Sequence, residues 1–284
     1  MPELPEVETV RRGLEPVLLG RRIEDVLVRR FDLRMRVPEN FRSHVSGKKI
    51  TRLLRRGKYI LAVLDDGNGF GLHLGMSGRV KVQPPSTDRN TDQNYALHDH
   101  VVFMMEEGSK IIFNDPRRFG MVFPIDKKWE EEKPFSRMGP EPLEKDFSGT
   151  KFALRLKGKT TPIKTTLLDQ SVVAGVGNIY VCEALYHAGI SPLKKAKMIH
   201  GTRAGKLASA VRHVLEMAIE AGGSTLRDHR QTDGSEGYFQ YSFSVYDREG
   251  QACPSCVCDP AITGGIRRIV QGGRSTFYCP RKQK

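Results

Sequence analysis

The N-terminus begins with a residue pair that could carry out covalent chemistry, Pro2 followed by Glu3. An initiator methionine is normally removed before a small second residue, so the mature chain would begin with the secondary amine of Pro2. An α-amino group has a pKa of about 7.7–8.0, against about 10.4 for lysine, and a useful fraction is therefore neutral and nucleophilic near neutral pH. Attack of this amine on a sugar carbon can lead to an iminium, which is a strong electron sink. Proline at position 2 is also common in proteins without such a role.

A second group that could do chemistry is a cluster of cysteines near the C-terminus. Cys182 lies alone in a helix-like run, whereas the other four of the five cysteines fall within the last 32 residues, at Cys253, Cys256, Cys258 and Cys279. In a reducing compartment such a cluster indicates metal ligation before disulfide formation.

The chain is strongly basic, with 46 Lys+Arg against 33 Asp+Glu in 284 residues and a net charge of +13. This balance disfavours an ordinary metabolic enzyme and favours a polyanionic partner, nucleic acid first. Eleven basic residues and two acidic ones lie between Arg29 and Lys58. That run indicates either a phosphate-binding face or a solvated basic surface.

The sequence gives no indication of a membrane or export role. No stretch approaches the ~20 apolar residues of a membrane span. The N-terminus has neither the basic nor the apolar segment of a signal peptide. We therefore expect a soluble, cytoplasmic protein with no membrane partner.

The elements that must position these residues follow from periodicity. Apolar spacing predicts an amphipathic helix over residues 5–18, with Pro5 in its first turn and acids before bases, as the helix dipole favours. Short β-rich runs between turns then predict a sandwich or barrel. The predicted strands are Ile23–Arg29, Lys49–Leu54, Tyr59–Leu64, Arg79–Val82, His100–Met105 and Lys110–Phe113. Beyond a mixed-charge linker the predicted helices are Phe152–Leu156, Pro162–Leu168, Ile179–Ala188 and Ala204–Glu220.

Six motifs occur in order along almost the whole chain: MPELPEVETVRRGLEP at 1–16, RRGKY at 55–59, HLGMSG at 73–78, NDPRRFG at 114–120, DQSVVAGVGNIY at 169–180 and GRSTFYC at 273–279. Through them the chain resembles the formamidopyrimidine-DNA glycosylase family. The resemblance implies a base-excision enzyme that flips a damaged purine, 8-oxoguanine or a ring-opened formamidopyrimidine, out of duplex DNA. Flipping is necessary because the glycosidic carbon is unreachable inside the base stack.

The resemblance also implies roles for four residues in catalysis. Pro2 would be the nucleophile, and Glu3 would protonate the ribose during ring opening. Glu6 would steady the amine and the helix N-terminus. First-turn acids that complement the helix dipole are the alternative interpretation of both glutamates. Lys58 would act in β-elimination and contact a phosphate next to the lesion, unless it is one more surface lysine.

Other positions match DNA-contacting residues of the family. The resemblance implies that Met76, Arg117 and Phe119 fill the hole left by the flipped nucleotide. An apolar wedge replaces lost stacking, and a guanidinium can bond the orphaned cytosine. The remaining implied contacts are at His73, His98 and Lys159. From the residues alone, a histidine on an apolar strand is more often a core residue.

The AGVGN segment contains Gly175 and Gly177, which permit positive φ and close backbone approach, and Asn178 is placed to cap the following helix. An ordinary helix-helix turn is one interpretation. The resemblance implies a helix-two-turns-helix element whose amides and Asn178 side chain hold phosphate at the helix N-terminus. Residues 222–239 resemble the loop that closes over the flipped base.

The C-terminal finger departs from the family pattern of two cysteine pairs around a β-hairpin. The resemblance places the hairpin arginine, with phosphate contacts and a part in δ-elimination, at Arg274. Lys282 stands where the last cysteine is expected, and lysine is a poor zinc ligand at neutral pH. We expect one structural zinc ion, with a water or a missing ligand as alternatives to a fourth cysteine. The candidate ligands are Cys253, Cys256, Cys258 and Cys279.

Together these observations predict an α+β protein of two domains, in which a catalytic helix leads a β-sandwich. The predicted boundaries are 1–125 for the catalytic β-sandwich domain, 126–150 for a linker, 151–237 for the helix-two-turns-helix domain and 238–284 for the β-hairpin zinc finger. The expected activity is DNA glycosylase and abasic-site lyase on damaged double-stranded DNA, by a monomer without a catalytic metal. A glycosylase for oxidised pyrimidines and a lesion-binding protein that does not cut are the alternatives.

Overall fold

The computed structural model describes residues 1–85, 95–226, 230–257 and 259–284. They form two compact units, one of residues 1–136 with 221–238 and the other of residues 137–220 with 239–284. The domain boundaries stay a prediction. Among the described residues, no helix combines the length and the apolar character needed to cross a membrane.

The first unit consists of two antiparallel sheets and a leading helix. In chain order its elements are α1 (Leu4–Leu18), β1 (Ile23–Val28), α2 (Phe41–Val45), β2 (Ile50–Arg56), β3 (Tyr59–Leu64), β4 (Gly69–His73), β5 (Arg79–Gln83), β6 (Asp99–Met105), β7 (Lys110–Asn114) and β8 (Met121–Ile125). The strand orders are β1-β6-β7-β5 and β2-β3-β4-β8. The predicted helix at the N-terminus and the six predicted strands are confirmed, with ends that move by no more than two residues.

The core of this unit lies between the two sheets. Phe70 of β4 and Phe103 of β6 stack with ring centres 4.6 Å apart, so the sheets meet face to face as a sandwich. The apolar stripe of α1 is buried with them, including Val10 and Leu14 at 0% exposure. Burial of this stripe is what fixes the N-terminal end of α1 on the sandwich.

Two strands escape sequence prediction, β4 and β8. Glycines in β4 resemble strand breakers, yet packing requires them. A Cβ on Gly69 would lie 2.1 Å from the Ala62 carbonyl oxygen, and one on Gly71 would lie 2.3 Å from the Phe123 ring. Pro124 of β8 is tolerated because β8 is an edge strand of its sheet.

The second unit is mainly helical and ends in a hairpin. Its elements are α3 (Gly149–Leu156), α4 (Ile163–Leu167), α5 (Asn178–His187), α6 (Gly201–Glu220), α7 (Pro260–Thr263), β9 (Arg267–Gln271) and β10 (Arg274–Tyr278). The four predicted helices are confirmed. Gly222 and Gly223, with φ of +75° and +83°, follow the end of α6.

A matched pair of glycines tests the packing of α3 on α6. A Cβ on Gly149 would lie 2.5 Å from the Gly205 Cα, whereas a Cβ on Gly205 meets nothing within 4 Å. We expect Gly149→Ala to lower the free energy of unfolding by about 1–3 kcal/mol through overpacking. Gly205→Ala should raise it by about 0.5–1 kcal/mol through helix propensity. Urea unfolding followed by circular dichroism measures both, and the same sign for the two variants would contradict this packing.

Candidate active site and nucleic-acid interface

The N-terminal end of α1 is buried. Pro2 is buried, and Glu3 and Glu6 are 3% and 2% exposed. Glu3 is the cap residue of the helix, and Pro5 lies in the first turn, where the missing N–H costs no hydrogen bond. Met1 is 47% exposed and precedes Pro2, so the Pro2 nitrogen becomes an amine only after Met1 is removed.

Glu6 ties this helix end to a segment 218 residues later in the chain. Its Oε2 accepts the Glu3 backbone N–H at 2.8 Å, and its Oε1 accepts the Ser224 backbone N–H at 2.8 Å. Gly223 has φ of +83°, and a Cβ on it would lie 3.1 Å from the Glu6 side chain. One carboxylate therefore positions both the Pro2 end of α1 and the segment around Ser224.

Lys58 lies in the tight turn between β2 and β3, after Gly57 with φ of +57°. It is 7% exposed. Arg55 anchors this turn to α1, because it pairs with Glu8 at 3.1 Å and donates to the Gly57 carbonyl at 3.3 Å. Burial raises the pKa of Glu8, but the surrounding guanidinium groups outweigh it and hold the pKa below its usual value. Glu8 stays ionised, and the Lys58 turn is held against α1.

His73 is 8% exposed at the end of β4, and its Nδ1 accepts the Gly75 backbone N–H at 3.0 Å. Burial, with the positive charges of Lys58 and Arg34, lowers the pKa of His73 to about 4. The imidazole is thus neutral near pH 7 and holds the turn that precedes Met76. A direct DNA contact of His73 stays a prediction.

Met76, Arg117 and Phe119 present exposed side chains on adjoining loops. Met76 is 37% exposed and Phe119 43% exposed. The Arg117 guanidinium carbon lies 4.9 Å from the centre of the Phe119 ring. Arg118, with φ of 59°, pairs instead with Asp32 at 2.6 Å. The structure therefore brings together two apolar side chains and one guanidinium at the surface of the first unit.

Two further predicted DNA contacts lie one in each unit. The carbonyl of half-buried His98 accepts the Asp115 backbone N–H at 3.0 Å, at the start of the loop that carries Arg117. Half-buried Lys159 follows α3, and its carbonyl accepts the Lys197 backbone N–H at 2.9 Å. Both DNA contacts stay predictions.

The prediction that Asn178 caps α5 is wrong. Gly177 takes the cap position, and Asn178 is the first residue of the helix. The Asn178 side chain donates instead to the Ser275 carbonyl at 2.9 Å and to the Tyr246 hydroxyl at 3.4 Å. A glycine cap frees the asparagine for this long-range contact, which joins the start of α5 to β10 next to Arg274.

Arg274 begins β10 directly after a two-residue hairpin loop. Gly272 and Gly273 have φ of +56° and +71°, as the type I′ turn of a tight hairpin requires. Arg274 lies opposite Gln271 in the register and is exposed. The hairpin therefore presents Arg274 at its tip.

Three of the predicted zinc ligands come together in the second unit. The Sγ atoms of Cys253, Cys256 and Cys279 all lie within 4.8 Å of one another, and all three are free cysteines. Zinc–sulfur bonds of 2.3 Å place two tetrahedral ligands about 3.8 Å apart, so these sulfurs can form one face of a metal site. The Cys256 and Cys279 sulfurs are 3.6 Å apart. Cys258 lies outside the described residues.

The Lys282 backbone N–H donates to Cys279 Sγ at 3.5 Å, but its side chain is held by groups other than the sulfurs. Its Nζ lies 3.8 Å from the centre of the Tyr186 ring and 3.1 Å from the Ser255 hydroxyl. The Tyr186 hydroxyl lies 3.4 Å from Cys253 Sγ. Burial raises the pKa of Cys253, but hydrogen bonds from Tyr186 and the backbone outweigh it and lower it to about 6. The cluster thus favours a thiolate, the form of cysteine that binds metal.

The basic run from Arg29 to Lys58 contains ion pairs with the protein's own carboxylates. The pairs are Arg30 with Asp32, Arg36 with Glu39, Arg42 with Asp25, Lys48 with Asp66 and Arg55 with Glu8. At least five of its eleven basic residues are thus paired with a carboxylate of the protein, so the run is not one uniform phosphate-binding face.

Sequence reasoning missed the buried polar residues that organise these sites, which are Ser77, Asp115, Glu183 and Ser224. Glu183 is 1% exposed in α5 and accepts the backbone N–H groups of Ser244, Val245 and Tyr246. Burial raises its pKa against the effect of these bonds. A lone glutamate in an apolar helix, such as Glu183, can be recognised in the sequence as a candidate buried carboxylate. No sequence pattern indicates the hydrogen-bond partners of Ser224 and Asp115.

Comparison with known proteins identifies the same family along most of the chain. The family model for the formamidopyrimidine-DNA glycosylase N-terminal domain matches residues 1–122, and that for the formamidopyrimidine-DNA glycosylase H2TH domain matches residues 138–230. A Dinoroseobacter shibae protein named formamidopyrimidine-DNA glycosylase is 52% identical over 288 residues, with 100% of both chains covered.

Solved structures show the same likeness. The MutM (Fpg) protein from Thermus thermophilus has a TM-score of 0.84 and 38% identity, covering 99% of this chain and 98% of that one. A structure of MutM in complex with carbocyclic 8-oxo-G containing DNA has a TM-score of 0.84 and 33% identity, with 100% of both chains covered.

The His73 environment predicts a pH dependence of stability. The pKa of His73 is about 4 in the folded chain against an ordinary 6.5. Between pH 4 and pH 6.5, therefore, the unfolded chain binds a proton at His73 that the folded chain does not bind. Stability from neutral His73 is therefore present above pH 6.5 and is lost as the pH falls toward 4. Between pH 7 and pH 4 we expect the wild type to lose about 3 kcal/mol more unfolding free energy than His73→Gln.

Urea unfolding at each pH measures this difference. His200→Gln, at an exposed position, is the control and should follow the wild type. The same pH dependence in wild type and His73→Gln would contradict the assignment.

Proposed function

The chain belongs to the formamidopyrimidine-DNA glycosylase family, and we propose that it uses the amine of Pro2 to remove oxidised purines from duplex DNA. It is a base-excision repair enzyme for 8-oxoguanine and formamidopyrimidines, with the abasic-site lyase activity of the family. Its working form is a monomer in the bacterial cytoplasm, where the DNA is. The observation that carries the proposal is the buried Glu6 carboxylate, which fixes the Pro2 end of α1.

The reaction begins once Met1 has been removed. The lone pair of the Pro2 nitrogen forms a bond to C1′ of the damaged nucleotide, and the bond from C1′ to the base breaks. The base leaves with that electron pair and takes up a proton from water, while the Pro2 nitrogen passes its own proton to the Glu3 carboxylate. Glu3 protonates the ribose oxygen as the ring opens, which leaves an iminium between the Pro2 nitrogen and C1′. Successive β- and δ-eliminations expel the 3′ and 5′ phosphates.

Lys58 acts in the elimination steps and contacts the phosphate next to the lesion. Two observations support this role. Its turn is anchored to α1 through the Glu8–Arg55 pair, and the lysine is nearly buried in spite of its charge. Lysine is among the residue types that are least often buried to this extent.

The exposed group of Met76, Arg117 and Phe119 occupies the space that the flipped nucleotide leaves. The apolar side chains replace lost stacking, and the guanidinium reads the base opposite the lesion. His98 contacts the DNA beside this group, and His73 supports it from below through the turn it holds. Flipping is thereby stabilised on the side of the duplex that faces this unit.

The second unit binds phosphates through Lys159, Asn178 and Arg274. The contact between Asn178 and the Ser275 carbonyl supports this, because it orders the hairpin that carries Arg274 next to the first turn of α5. The positive end of the α5 helix dipole also favours an anion at this position. Arg274 in addition serves in δ-elimination.

A zinc ion is held by Cys253, Cys256 and Cys279, with Cys258 or a water as the fourth ligand. The mutual approach of three sulfurs supports this proposal. Zinc would supply structural cross-linking of the finger and take no part in the chemistry. Lys282 does not serve as a ligand, because its ammonium is engaged by Tyr186 and Ser255.

Covalent trapping tests the role of Pro2. With borohydride and a duplex that contains 8-oxoguanine opposite cytosine, we expect a stable adduct with the wild type and none with an undamaged duplex. Pro2→Gly should lower trapping about 100-fold or more while DNA affinity is largely retained, because a primary amine on an unconstrained glycine replaces the ring-held secondary amine and no DNA-contacting side chain changes. A variant with a residue inserted before Pro2 should also fail to trap. Undiminished cleavage by Pro2→Gly would refute the assignment, and binding without any adduct would indicate a lesion-recognition protein.

Metal analysis of the purified protein tests the finger. We expect about one equivalent of tightly bound zinc per chain, and its loss in Cys279→Ser, because a tetrahedral zinc site needs its protein ligands. Cys182→Ser is the matched control and should retain the metal, since Cys182 is not one of the three clustered cysteines. Less than about half an equivalent in the wild type would contradict the zinc proposal.

A further inference from the structure

Two buried polar side chains lie beneath the exposed group of Met76, Arg117 and Phe119. Ser77 directly follows Met76 and is 3% exposed, and Asp115 begins the loop that carries the other two residues and is 0% exposed. Neither side chain can contact DNA from such a position. Their contacts therefore concern how the exposed residues are held.

The Ser77 hydroxyl connects the two loops both as a hydrogen-bond donor and as an acceptor. It donates to Asp115 Oδ1 at 2.6 Å and accepts the backbone N–H of Arg117 at 3.1 Å. A single oxygen thus links the residue after Met76 to the start of the second loop and to Arg117 itself. A shift of either loop would break at least one of these bonds.

Asp115 closes the second loop and ties it to the start of β6. Its Oδ2 accepts the backbone N–H of Gly120 at 2.7 Å, so one side chain joins both ends of the loop. Its backbone N–H donates to the His98 carbonyl at 3.0 Å, and His100 Nε2 donates to its carbonyl at 2.8 Å. Asp115 is therefore bonded to the elements that carry His98, Met76 and Arg117.

Backbone contact between the loops makes the arrangement rigid. Gly75 has φ of +60°, and a Cβ there would lie 2.3 Å from the Phe119 carbonyl carbon. A Cβ on Gly120 would lie 2.8 Å from the His73 carbonyl oxygen. The loops are thus in close backbone contact at these two glycines, and the hydrogen bonds of Ser77 to Asp115 and to Arg117 join them beside that contact.

We infer that Ser77 and Asp115 are positioning residues that make Met76, Arg117 and Phe119 one rigid insertion unit. This inference rests on the proposed function and adds to it a structural basis for discriminating the base opposite the lesion. Replacement of the flipped base by the apolar side chains and reading of the opposite base by Arg117 then occur in one fixed geometry. Without the Ser77–Asp115 hydrogen bond, each of the three side chains could enter the DNA duplex without the others. Discrimination of the opposite base would then be impaired more strongly than the chemical steps.

The test compares Ser77→Ala with the wild type in single-turnover reactions at saturating enzyme. Three duplexes are used, with 8-oxoguanine opposite cytosine, 8-oxoguanine opposite adenine, and an abasic site opposite cytosine. For Ser77→Ala we expect the excision rate opposite cytosine to fall about tenfold, and the ratio of cytosine to adenine rates to fall several-fold, because a guanidinium contact to a base sets such a ratio. Cleavage at the abasic site should change less than about threefold, because no base has to be displaced.

Matched variants separate positioning from general destabilisation. Ser109→Ala removes another buried hydroxyl of the same unit, one bonded to Glu107 at 2.9 Å, and should leave all three rates unchanged. Ser77→Thr keeps the hydroxyl and should restore the base ratio, whereas Asp115→Asn should lower it. If Ser77→Ala does not fold, the ratios of Ser77→Thr and Asp115→Asn decide, and equal ratios for these two overturn the inference.

Two outcomes distinguish this inference from the proposed function. A wild type that forms no borohydride adduct on the 8-oxoguanine duplex refutes the proposed function itself. A wild type that traps normally, beside a folded Ser77→Ala with the wild-type base ratio, refutes only the positioning role. An equal loss of rate on all three duplexes would also overturn it, since that pattern belongs to general damage of the site.

Discussion

The buried carboxylate of Glu6 is the interaction on which the catalytic end of this protein depends. It accepts one N–H from the start of its own helix and one from Ser224, so each oxygen has a backbone donor. Hydrogen bonds to a charged group contribute about 1.5–3 kcal/mol each, and a negative charge is favoured at a helix N-terminus. The position of Pro2 follows from this contact together with the buried stripe of α1. The Glu8–Arg55 pair extends the same frame to Lys58.

Much of the fold was predictable because apolar periodicity decides it. The stripe of α1 and the alternating strands of the sandwich are local patterns, and their elements appear where the patterns place them. β4 was not predictable, since the contacts that require Gly69 and Gly71 come from strands that are distant in sequence. The motifs identified the exposed residues of the candidate site. They did not identify Ser77, Asp115 or Ser224 as their supports, because each acts through a backbone group whose position depends on the fold.

The finger is a second region in which the sequence predicts only part of the structure. A missing fourth cysteine is visible in the sequence, but the placement of Lys282 over the Tyr186 ring is not, because the two residues are far apart along the chain. The finger also shares an apolar core with α5, in which Tyr186 of α5 packs with Val245, Ile266 and Phe277 around the cysteines. Cation–π contacts contribute about 0.5–2 kcal/mol, and this core adds to them. The chain thus supports its hairpin by packing as well as by any metal.

The path of the chain has a consequence for synthesis. Residues 221–238 belong to the first unit although the helices of the second unit precede them in sequence. A ribosome that adds about 5–20 residues per second needs several seconds between residue 136 and Ser224. Throughout that interval the Ser224 N–H that Glu6 accepts does not yet exist. The nucleophilic end of the protein is completed only when most of the second unit has been made, so an unfinished chain carries an incomplete active site.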